Sequence, residues 1–575
     1  MIQTEITSIL ARMIRNMKSA AELMLDVLYQ SGVSHVFGIP GGNSIPIYDA
    51  LTHHPLKLIL TRHEQGATHM ADGFARTSGK PGVVCVTSGP GATNTLTGIL
   101  TAMMDSIPML IITGQSITPN IGLDAFQEAD VLGMSFPVVK HSYRVSDPKD
   151  ISRITGEALH IATTGRPGPV LVDVPKDVSA TMVDVDIECE HDLPGYHEEP
   201  RANIEDLKLA ANLINTAHRP VILAGHGIVL SGASKALLEV VEKMRIPVTT
   251  TLLGKGGFPD SHELSLGLPG MHGTAYANKA LSESDLIVAI GSRWDDRITG
   301  IPEKFCTHAR KIHFDVDPVE VGKIISVDCA VIGDARASLE ELIAYLKPGD
   351  MKSWNRQIRT WKRDFPLKYR KEGKLRAQHI IKELSNLVGT EAVVCTDVGQ
   401  HQMWAAQFVK TDKGENWISS GGAGTMGFGL PSAIGAQLAR PDTAVYAIVG
   451  DGSFQMTLCE LATAVVNKLP IKIIVMNNRY LGMVRQWQHL FYENRFTGVD
   501  LEGNPDFIKL ASAYDIKGFR VKRSSDVRRT LRAAIEWDDG PCLIEAVVEQ
   551  HDNVFPMVPA GATLEEMIVE PPKHS

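Results

Sequence analysis

Short apolar runs that end in a glycine turn and lead into a helical stretch recur along most of this chain, and the pattern leaves few folds open. Residues 83–86 run into Gly89-Pro90-Gly91, and residues 444–449 run into Gly450-Asp451-Gly452. Continuous apolar runs lack the alternation of a sheet wetted on one face, so they read as parallel strands covered by helices on both sides. The two examples also echo each other downstream. A helical segment leads to a proline that opens a further apolar strand, at Pro108 in one and Pro470 in the other, 19 and 20 residues after the first glycine of each turn. A duplicated α/β domain accounts for that echo.

Similar strands at 220–224, 247–251, 286–290 and 311–314 predict a third unit of the same class between the copies. The expected fold is therefore α/β, with three doubly wound parallel-sheet domains at 16–185, 205–346 and 376–550 and a proline-containing tail at 551–575. A chain of 575 residues exceeds what one core usually serves, which agrees with several domains. Ser19 and Glu22 form a capping box, with Leu23, Met24, Val27 and Leu28 on one helical face before Gly32 ends the helix. The acidic stretch 186–206 reads as a connection, and the charged stretch 347–376, with Trp354, Trp361 and Pro366, as a crossing between domains. Residues 1–18, with Arg12, Arg15 and Lys18 but also Glu5, read as a frayed extension rather than a transit segment.

Fifty-seven basic and 66 acidic residues give a formal charge of −9, and no basic block argues for nucleic acid or an anionic membrane. Small molecules are the expected ligands. Seven cysteines without a CxxC pair point to a reducing, cytoplasmic setting, and runs such as 471–476 are too short to span a bilayer. The 20 histidines show no zinc-protease spacing, and no GxSxG elbow is present.

Gly450-Asp451-Gly452-Ser453 falls at the carboxyl end of a strand, where open α/β sheets bind ligands and glycines let backbone N–H groups approach phosphate. Asn478 follows Asp451 by 27 residues, at the end of the next strand. Asp451, the Asn478 amide oxygen and a backbone carbonyl, with Tyr480 as candidate, make a hard-oxygen set that leaves room on a magnesium ion for two diphosphate oxygens. Asn477 reads as structural. Residues 422–427 match GxGxxG, but 415–420 make a poor buried strand and Pro431 interrupts the expected helix, so a dinucleotide fingerprint is rejected. In the middle of the chain Gly225-His226-Gly227, Gly270-Met271-His272-Gly273, Gly291-Ser292-Arg293-Trp294-Asp295-Asp296-Arg297 and Asp315 include glycine turns suited to a diphosphate and a carboxylate suited to a ribose, each weak singly.

A GDG followed some two dozen residues later by NN resembles the cofactor motif of thiamine-diphosphate enzymes. Residues 16–560 further resemble the acetohydroxyacid (acetolactate) synthase catalytic subunits. The likeness is carried by Arg62-His63-Glu64-Gln65-Gly66, Thr87-Ser88-Gly89-Pro90-Gly91-Ala92-Thr93-Asn94, Asp124-Ala125-Phe126-Gln127-Glu128, Gly424-Thr425-Met426-Gly427 and Gly482-Met483-Val484-Arg485-Gln486-Trp487. The resemblance implies thiamine diphosphate, Mg2+ and FAD as cofactors, and pyruvate and 2-ketobutyrate as substrates. It makes Glu64 the carboxylate that bonds N1′ of the aminopyrimidine, a role for which the residue should sit dry. Met426 becomes the wedge that bends the cofactor, Arg297 the holder of the second substrate's carboxylate, and Trp487 the wall that favours an ethyl over a methyl group; Gln127 and Lys176 join them at the reaction centre. The thiamine-diphosphate contacts implied are Gly42, Asn94, Val398, Gly399, Gln400, His401, Gly424, Gly452, Ser453 and Met483. Those for FAD are Arg166, Gly225, Gly227, Thr251, Leu252, Met271, His272, Gly291, Arg293, Arg297, Asp315 and Asp334, with Trp294 where the family's usual residue is Phe. The metal would rest on Asp451, Asn478 and Tyr480. A homodimer or homotetramer is implied, since the family closes each site between two subunits, and a small regulatory subunit is a further partner. The rivals are a flavin-free catabolic acetolactate synthase, glyoxylate carboligase, which lacks the carboxylate found here at Glu64, and a catalytically dead flavoprotein scaffold.

Overall fold

The computed structural model describes residues 17–184, 193–196 and 200–570. Residues 1–16 of the expected extension, and 186–192 and 197–199 of the expected connection, lie outside them; Lys18 pairs antiparallel with Val183, and the helix Ile204–Thr216 already occupies the end of the connection.

Three parallel sheets are present, as the apolar runs predict. The first contains β1 (His35–Ile39), β2 (Lys57–Leu60), β3 (Gly82–Val86), β4 (Met109–Gln115), β5 (His141–Arg144) and β6 (Pro169–Pro175), in the order β2-β1-β3-β4-β6-β5. The second contains β7 (Pro220–Ala224), β8 (Val248–Thr250), β9 (Leu286–Ile290), β10 (Arg310–Asp315) and β11 (Cys329–Ile332), in the order β8-β7-β9-β10-β11. The third contains β12 (Val393–Thr396), β13 (Trp417–Ser419), β14 (Val445–Gly450), β15 (Lys472–Asn477), β16 (Lys517–Val521) and β17 (Cys542–Val547), in the order β13-β12-β14-β15-β17-β16. First and third sheets thus share one strand order, and the echoing glycine turns follow the same third strand in each. Every residue of β3, β4, β6, β14 and β15 is buried, which is why these strands show no alternation.

The chain forms two compact units. One runs to Tyr196 and includes Ile434–Arg440 and Thr457–Asn467; the other holds the second and third sheets. In the first, the Ser19 capping box starts the helix Ala20–Gln30, whose Leu23, Met24, Val27 and Leu28 are buried.

Three readings need correction. The strand β13 exists and is buried, because it needs hydrogen bonds on one side only, at the sheet edge against β12. Pro431 sits in the first turn of the helix Gly429–Ala439, where its missing N–H has no helical acceptor to lose. Both local grounds for dismissing the GxGxxG match therefore fail. The crossing stretch contains the helix Lys352–Asp364, and its Trp354 and Trp361 are buried in the core of the second sheet, with Trp354 Nε1 donating to Pro220 O at 3.1 Å. Residues 551–570 are not a loose tail: Val554, Met557, Val558 and Leu564 are buried, and Val558 N donates to Met271 O.

Candidate active site

In a doubly wound sheet, ligands bind where the strand order reverses, beyond the carboxyl ends of the two strands that diverge. In the first sheet those strands are the neighbours β1 and β3, followed by the Gly41-Gly42-Asn43 and Thr87–Asn94 loops. The loops are stitched together: Asn43 Nδ2 donates to Ser88 Oγ at 2.7 Å, and a Cβ at Gly41 would lie 2.5 Å from the Thr87 Cβ. Gly42 faces open space.

Glu64 opens the helix Glu64–Ser78, and its Oε2 accepts a 2.9 Å hydrogen bond from Asn94 Nδ2. Gly91 stands over the other carboxylate oxygen, where a Cβ would lie 3.5 Å away. Gln127, held at a φ of 57°, presses against Gly89. Gly42, Glu64, Asn94 and Gln127 thus belong to one linked set of loops. In the single chain Glu64 is half-buried rather than dry. Lys176 opens the short helix after β6, and Arg166 Nε donates to Ser106 Oγ at 2.9 Å.

In the third sheet the diverging neighbours are β12 and β14. After β12 come Val398, Gly399, Gln400 and His401; after β14 come Gly450 to Ser453. The His401 ring occupies the space where a Cβ at Gly399 or Gly450 would stand. Burial pushes this histidine down to about 3, so the ring is neutral, and its Nε2 has no hydrogen-bond partner among the described residues. Ser453 Oγ folds back on Gly450, and Gly452 packs on Leu481. Gln400 Nε2 donates to Gln486 Oε1 at 2.9 Å, and Gly482 is crowded by Gln400 and by Asn478, which brings the segment containing Met483 to the same place.

Asp451 is buried, and burial raises its pKa to about 6 against the pull of hydrogen bonds from Asn504 and from backbone N–H groups. Both Asn504 Nδ2, at 2.7 Å, and Arg479 N, at 2.8 Å, donate to Asp451 Oδ2. Asn478 lies at the end of the adjacent strand β15, and its Oδ1 accepts from Tyr480 N at 3.0 Å, closing the turn that presents the Tyr480 carbonyl. Leu481 N to Val499 O and Leu501 N to Arg479 O pin this turn. Asn477 points elsewhere, donating to Glu545 Oε1 across β15 and β17. A polar cavity of 620 Å³ opens beside this turn; Arg479, Arg520 and Lys522 line it together with the carboxylates of Asp500, Glu502, Asp506 and Glu545, whereas Asp451 and Asn478 do not. The oxygen donors Asp451 and Asn478, with the Tyr480 carbonyl, suit a magnesium ion that takes its remaining oxygens from a diphosphate. Among the described residues no cluster of His, Cys, Asp and Glu could hold a metal alone.

Two residues absent from the sequence reading matter here. Asn504 is one. Asp397 is the other: its Oδ1 accepts from Val398 N and Gly427 N, and its Oδ2 from Gly429 N, so one buried carboxylate ties the His401 loop to the loop that carries Gly424 and Met426. Burial raises its pKa to about 6. A strand-end Asp before Val398-Gly399 was the available signal; nothing local marked Asn504.

In the second sheet the order reverses at β7 and β9. Gly225, Gly227 and Gly291 meet one another, with a Cβ at Gly225 falling 2.1 Å from Gly291 O, so close backbone packing alone explains glycine at these positions. Around them stand Thr251, bonded to the backbone of Gly254 and Ala224, half-buried Arg293, and Asp315, whose Oδ1 accepts from Asp317 N. Leu252 O accepts from Trp417 Nε1 at 2.8 Å. Asp334 caps the helix Ala335–Leu342 through Ala337 N, an occupation independent of any ligand. Trp294 is fully buried, and burial also lowers His272 to about 4. A switch point with a carboxylate and an arginine at neighbouring strand ends fits a dinucleotide.

Arg297 joins the second and third sheets' residues: its Cζ lies 5.9 Å from the Trp487 ring centroid, and its Nη1 approaches Met271 Sδ at 3.8 Å. On the helix Gly482–Phe491 that carries Trp487, Arg485 and Gln486 are buried and grip the 551–554 segment, which leaves Trp487 on another face.

Thiamine pyrophosphate enzyme models match this chain in three parts: the N-terminal TPP binding domain at 18–134, the central domain at 207–342 and the C-terminal TPP binding domain at 397–546. The last covers the GxGxxG segment and replaces the failed local grounds for rejecting a dinucleotide site there. The acetolactate synthase large subunit of Porphyra purpurea is 45% identical over 96% of this chain and 95% of its own length. That of Mycobacterium tuberculosis is 45% identical, covering 96% and 91%, and that of Cyanidium caldarium 44%, covering 96% and 97%. With all three sheets met by a family model and identity running over nearly the full length, this chain belongs to the acetolactate synthase family of thiamine pyrophosphate enzymes.

Proposed function

We propose that the chain is a carboligase of the acetolactate synthase type: it decarboxylates pyruvate and joins the remaining two-carbon unit to a second 2-keto acid. Two pyruvates give 2-acetolactate and CO₂; pyruvate with 2-ketobutyrate gives 2-aceto-2-hydroxybutyrate and CO₂. The observation that carries this reading is 45% identity to acetolactate synthase large subunits over 96% of the chain. Thiamine diphosphate, when bound, supplies a nucleophilic carbon and an electron sink for decarboxylation.

The chain's own residues supply the rest. Glu64, oriented by Asn94, holds and moves the proton at N1′ of the aminopyrimidine. Asp451, Asn478 and the Tyr480 carbonyl hold Mg2+, and Met426 shapes the bound cofactor. Arg297 holds the second substrate's carboxylate by charge-assisted bonds, and its packing on Trp487 places that charge beside an aromatic wall sized for a small alkyl group. Gln127 and Lys176 complete the reaction centre. The switch point of the second sheet, with Arg293 and Asp315, would hold FAD, which would carry no electrons in the net reaction; Arg293 in the segment after β9 favours it over a flavin-free synthase.

An oligomer is the working form, as a homodimer or homotetramer whose sites take Glu64 and Asp451 from different subunits. Leu123, Phe126 and Phe136 support this reading, since they are 70%, 87% and 77% exposed in the single chain and are large apolar side chains that an interface would cover. A small regulatory subunit is a further partner. No helix among the described residues is long and apolar enough to cross a membrane, and no disulfide joins the six described cysteines, which supports a reducing compartment such as the cytoplasm.

The test is incubation of purified protein with pyruvate, 2-ketobutyrate, thiamine diphosphate, Mg2+ and FAD. Both products are expected, with flavin absorbance retained on the protein. Absence of both products overturns the activity.

A further inference from the structure

We propose that Glu460 is a positioning residue for Glu64, holding the backbone that delivers it. Glu460 is fully buried, and its carboxylate is spent on the two residues that precede Glu64. Oε1 accepts from Arg62 N at 3.0 Å and from His63 N at 2.9 Å, while Oε2 accepts from Arg62 N at 3.2 Å and from Thr463 Oγ1 at 2.7 Å.

The geometry explains why a remote side chain is needed. His63 is the extended N-cap of the helix Glu64–Ser78, with φ −152° and ψ 145°, so its own N–H and that of Arg62 precede the helix and have no acceptor inside it. One carboxylate takes both, and so sets the angle at which the chain enters the helix. Glu64 is the next residue. Its side chain is held at the far end by Asn94, so the carboxylate is fixed from two directions, by Glu460 through the backbone and by Asn94 at Oε2.

Gly66 completes the arrangement. A Cβ there would fall 2.2 Å from Glu460 Oε1 and 2.7 Å from its Cδ, so glycine is what lets the buried carboxylate come this close to the first turn. Glycine at 66, two residues after Glu64, is therefore explained by residue 460 of the same compact unit. This role rests on the proposed part of Glu64 in proton transfer, and a displacement of about 1 Å at such a group slows a reaction about a hundredfold.

Three variants of the full-length protein, with Glu64→Gln as control, test it. Glu460→Met keeps the bulk but removes both acceptors; Glu460→Gln keeps an acceptor at Oε1 and can donate to Thr463. Gly66→Ala drives the carboxylate away from the opposite side. Two measurements are made: backbone amide hydrogen exchange over residues 60–66 in cofactor-free protein, and hydrogen–deuterium exchange at C2 of thiamine diphosphate bound with Mg2+. Glu460→Met is expected to lose amide protection locally and to slow C2 exchange about 30-fold or more, with Glu460→Gln restoring at least tenfold of that loss and Gly66→Ala behaving like Glu460→Met. The proposal falls if Glu460→Met, folded and cofactor-bound, exchanges C2 at the wild-type rate while Glu64→Gln does not. If Glu64→Gln itself exchanges at the wild-type rate, the role of Glu64 falls instead. Should Glu460→Met fail to fold, Gly66→Ala decides by the same readouts, and wild-type values for both overturn the proposal.

Discussion

At the scale of single residues, the contacts separate groups that do chemistry from groups that hold them. Glu64 reaches Asn94 through its carboxylate, so Glu64→Gln keeps a side chain that can still bond there while losing the ionisable oxygen. Turnover is expected to fall about 10²- to 10⁴-fold with cofactor affinity retained, read by steady-state rates beside a thiamine diphosphate binding titration. Asn504 donates a charge-assisted bond to Asp451 Oδ2, on the oxygen that also takes Arg479 N. Its removal takes one of the two donors on that oxygen, and Asn504→Ala should weaken Mg2+-dependent cofactor binding about 10- to 100-fold; an unchanged magnesium titration by protein fluorescence would show that Arg479 N suffices. Trp487 lies against Arg297, so Trp487→Leu reshapes the pocket wall without deleting the charge. The ratio of acetohydroxybutyrate to acetolactate in a mixed-substrate assay should drop, by an amount bounded at about 1–3 kcal/mol because a single methylene is being distinguished. Asp451 and Asn478 were legible because each follows a buried strand. Asn504 was not, because it reaches Asp451 from 53 residues away and no local pattern records a fold-made contact.

At the scale of elements, strands were legible and their surroundings less so. Doubly covered parallel strands have no solvent face, so β3, β4, β14 and β15 stand out as unbroken apolar runs. An edge strand such as β13 needs fewer apolar residues, and a proline in a first helical turn breaks nothing; both were misread at the GxGxxG match for those reasons. Residues 551–570 were misread differently. Two prolines, Pro556 and Pro559, suggested a tail, yet a few apolar side chains decide its placement: Val554 and Met557 are fully buried, and the backbone of 551–554 receives Arg485 and Gln486. Burying a side chain of this size contributes about 1.5–3 kcal/mol, so truncation after Gln550 should lower the melting temperature by several degrees and expose the helix Gly482–Phe491 to protease. A truncated protein that melts like the full chain and resists cleavage at 482–491 would restore the tail reading.

At the scale of the whole molecule, the shared strand order of the first and third sheets is the feature that shapes function. Each has a switch point at its first and third strands, and duplication therefore made two half-sites: one carries Glu64, the other Asp451. On the proposed function, neither half-site works alone. If each complete site takes Glu64 from one subunit and Asp451 from another, a chain lacking either residue still contributes one sound half. Glu64→Gln and Asp451→Ala should each be nearly inactive as pure proteins. Co-expressed and purified as mixed dimers, however, a hybrid pairs the intact Asp451 of the first variant with the intact Glu64 of the second and regains one of its two sites. With random assembly half the dimers are hybrid and half of their sites work, so activity should recover to about one quarter of wild type, when assayed against the two homodimers mixed without exchange. Were each site built within a single chain, every site in the hybrid would carry a lesion and co-expression would restore nothing. Recovery near one quarter therefore separates a shared site from two independent ones, and it requires association to precede catalysis: on dilution below the dimer dissociation constant, wild-type and hybrid activity should decline together.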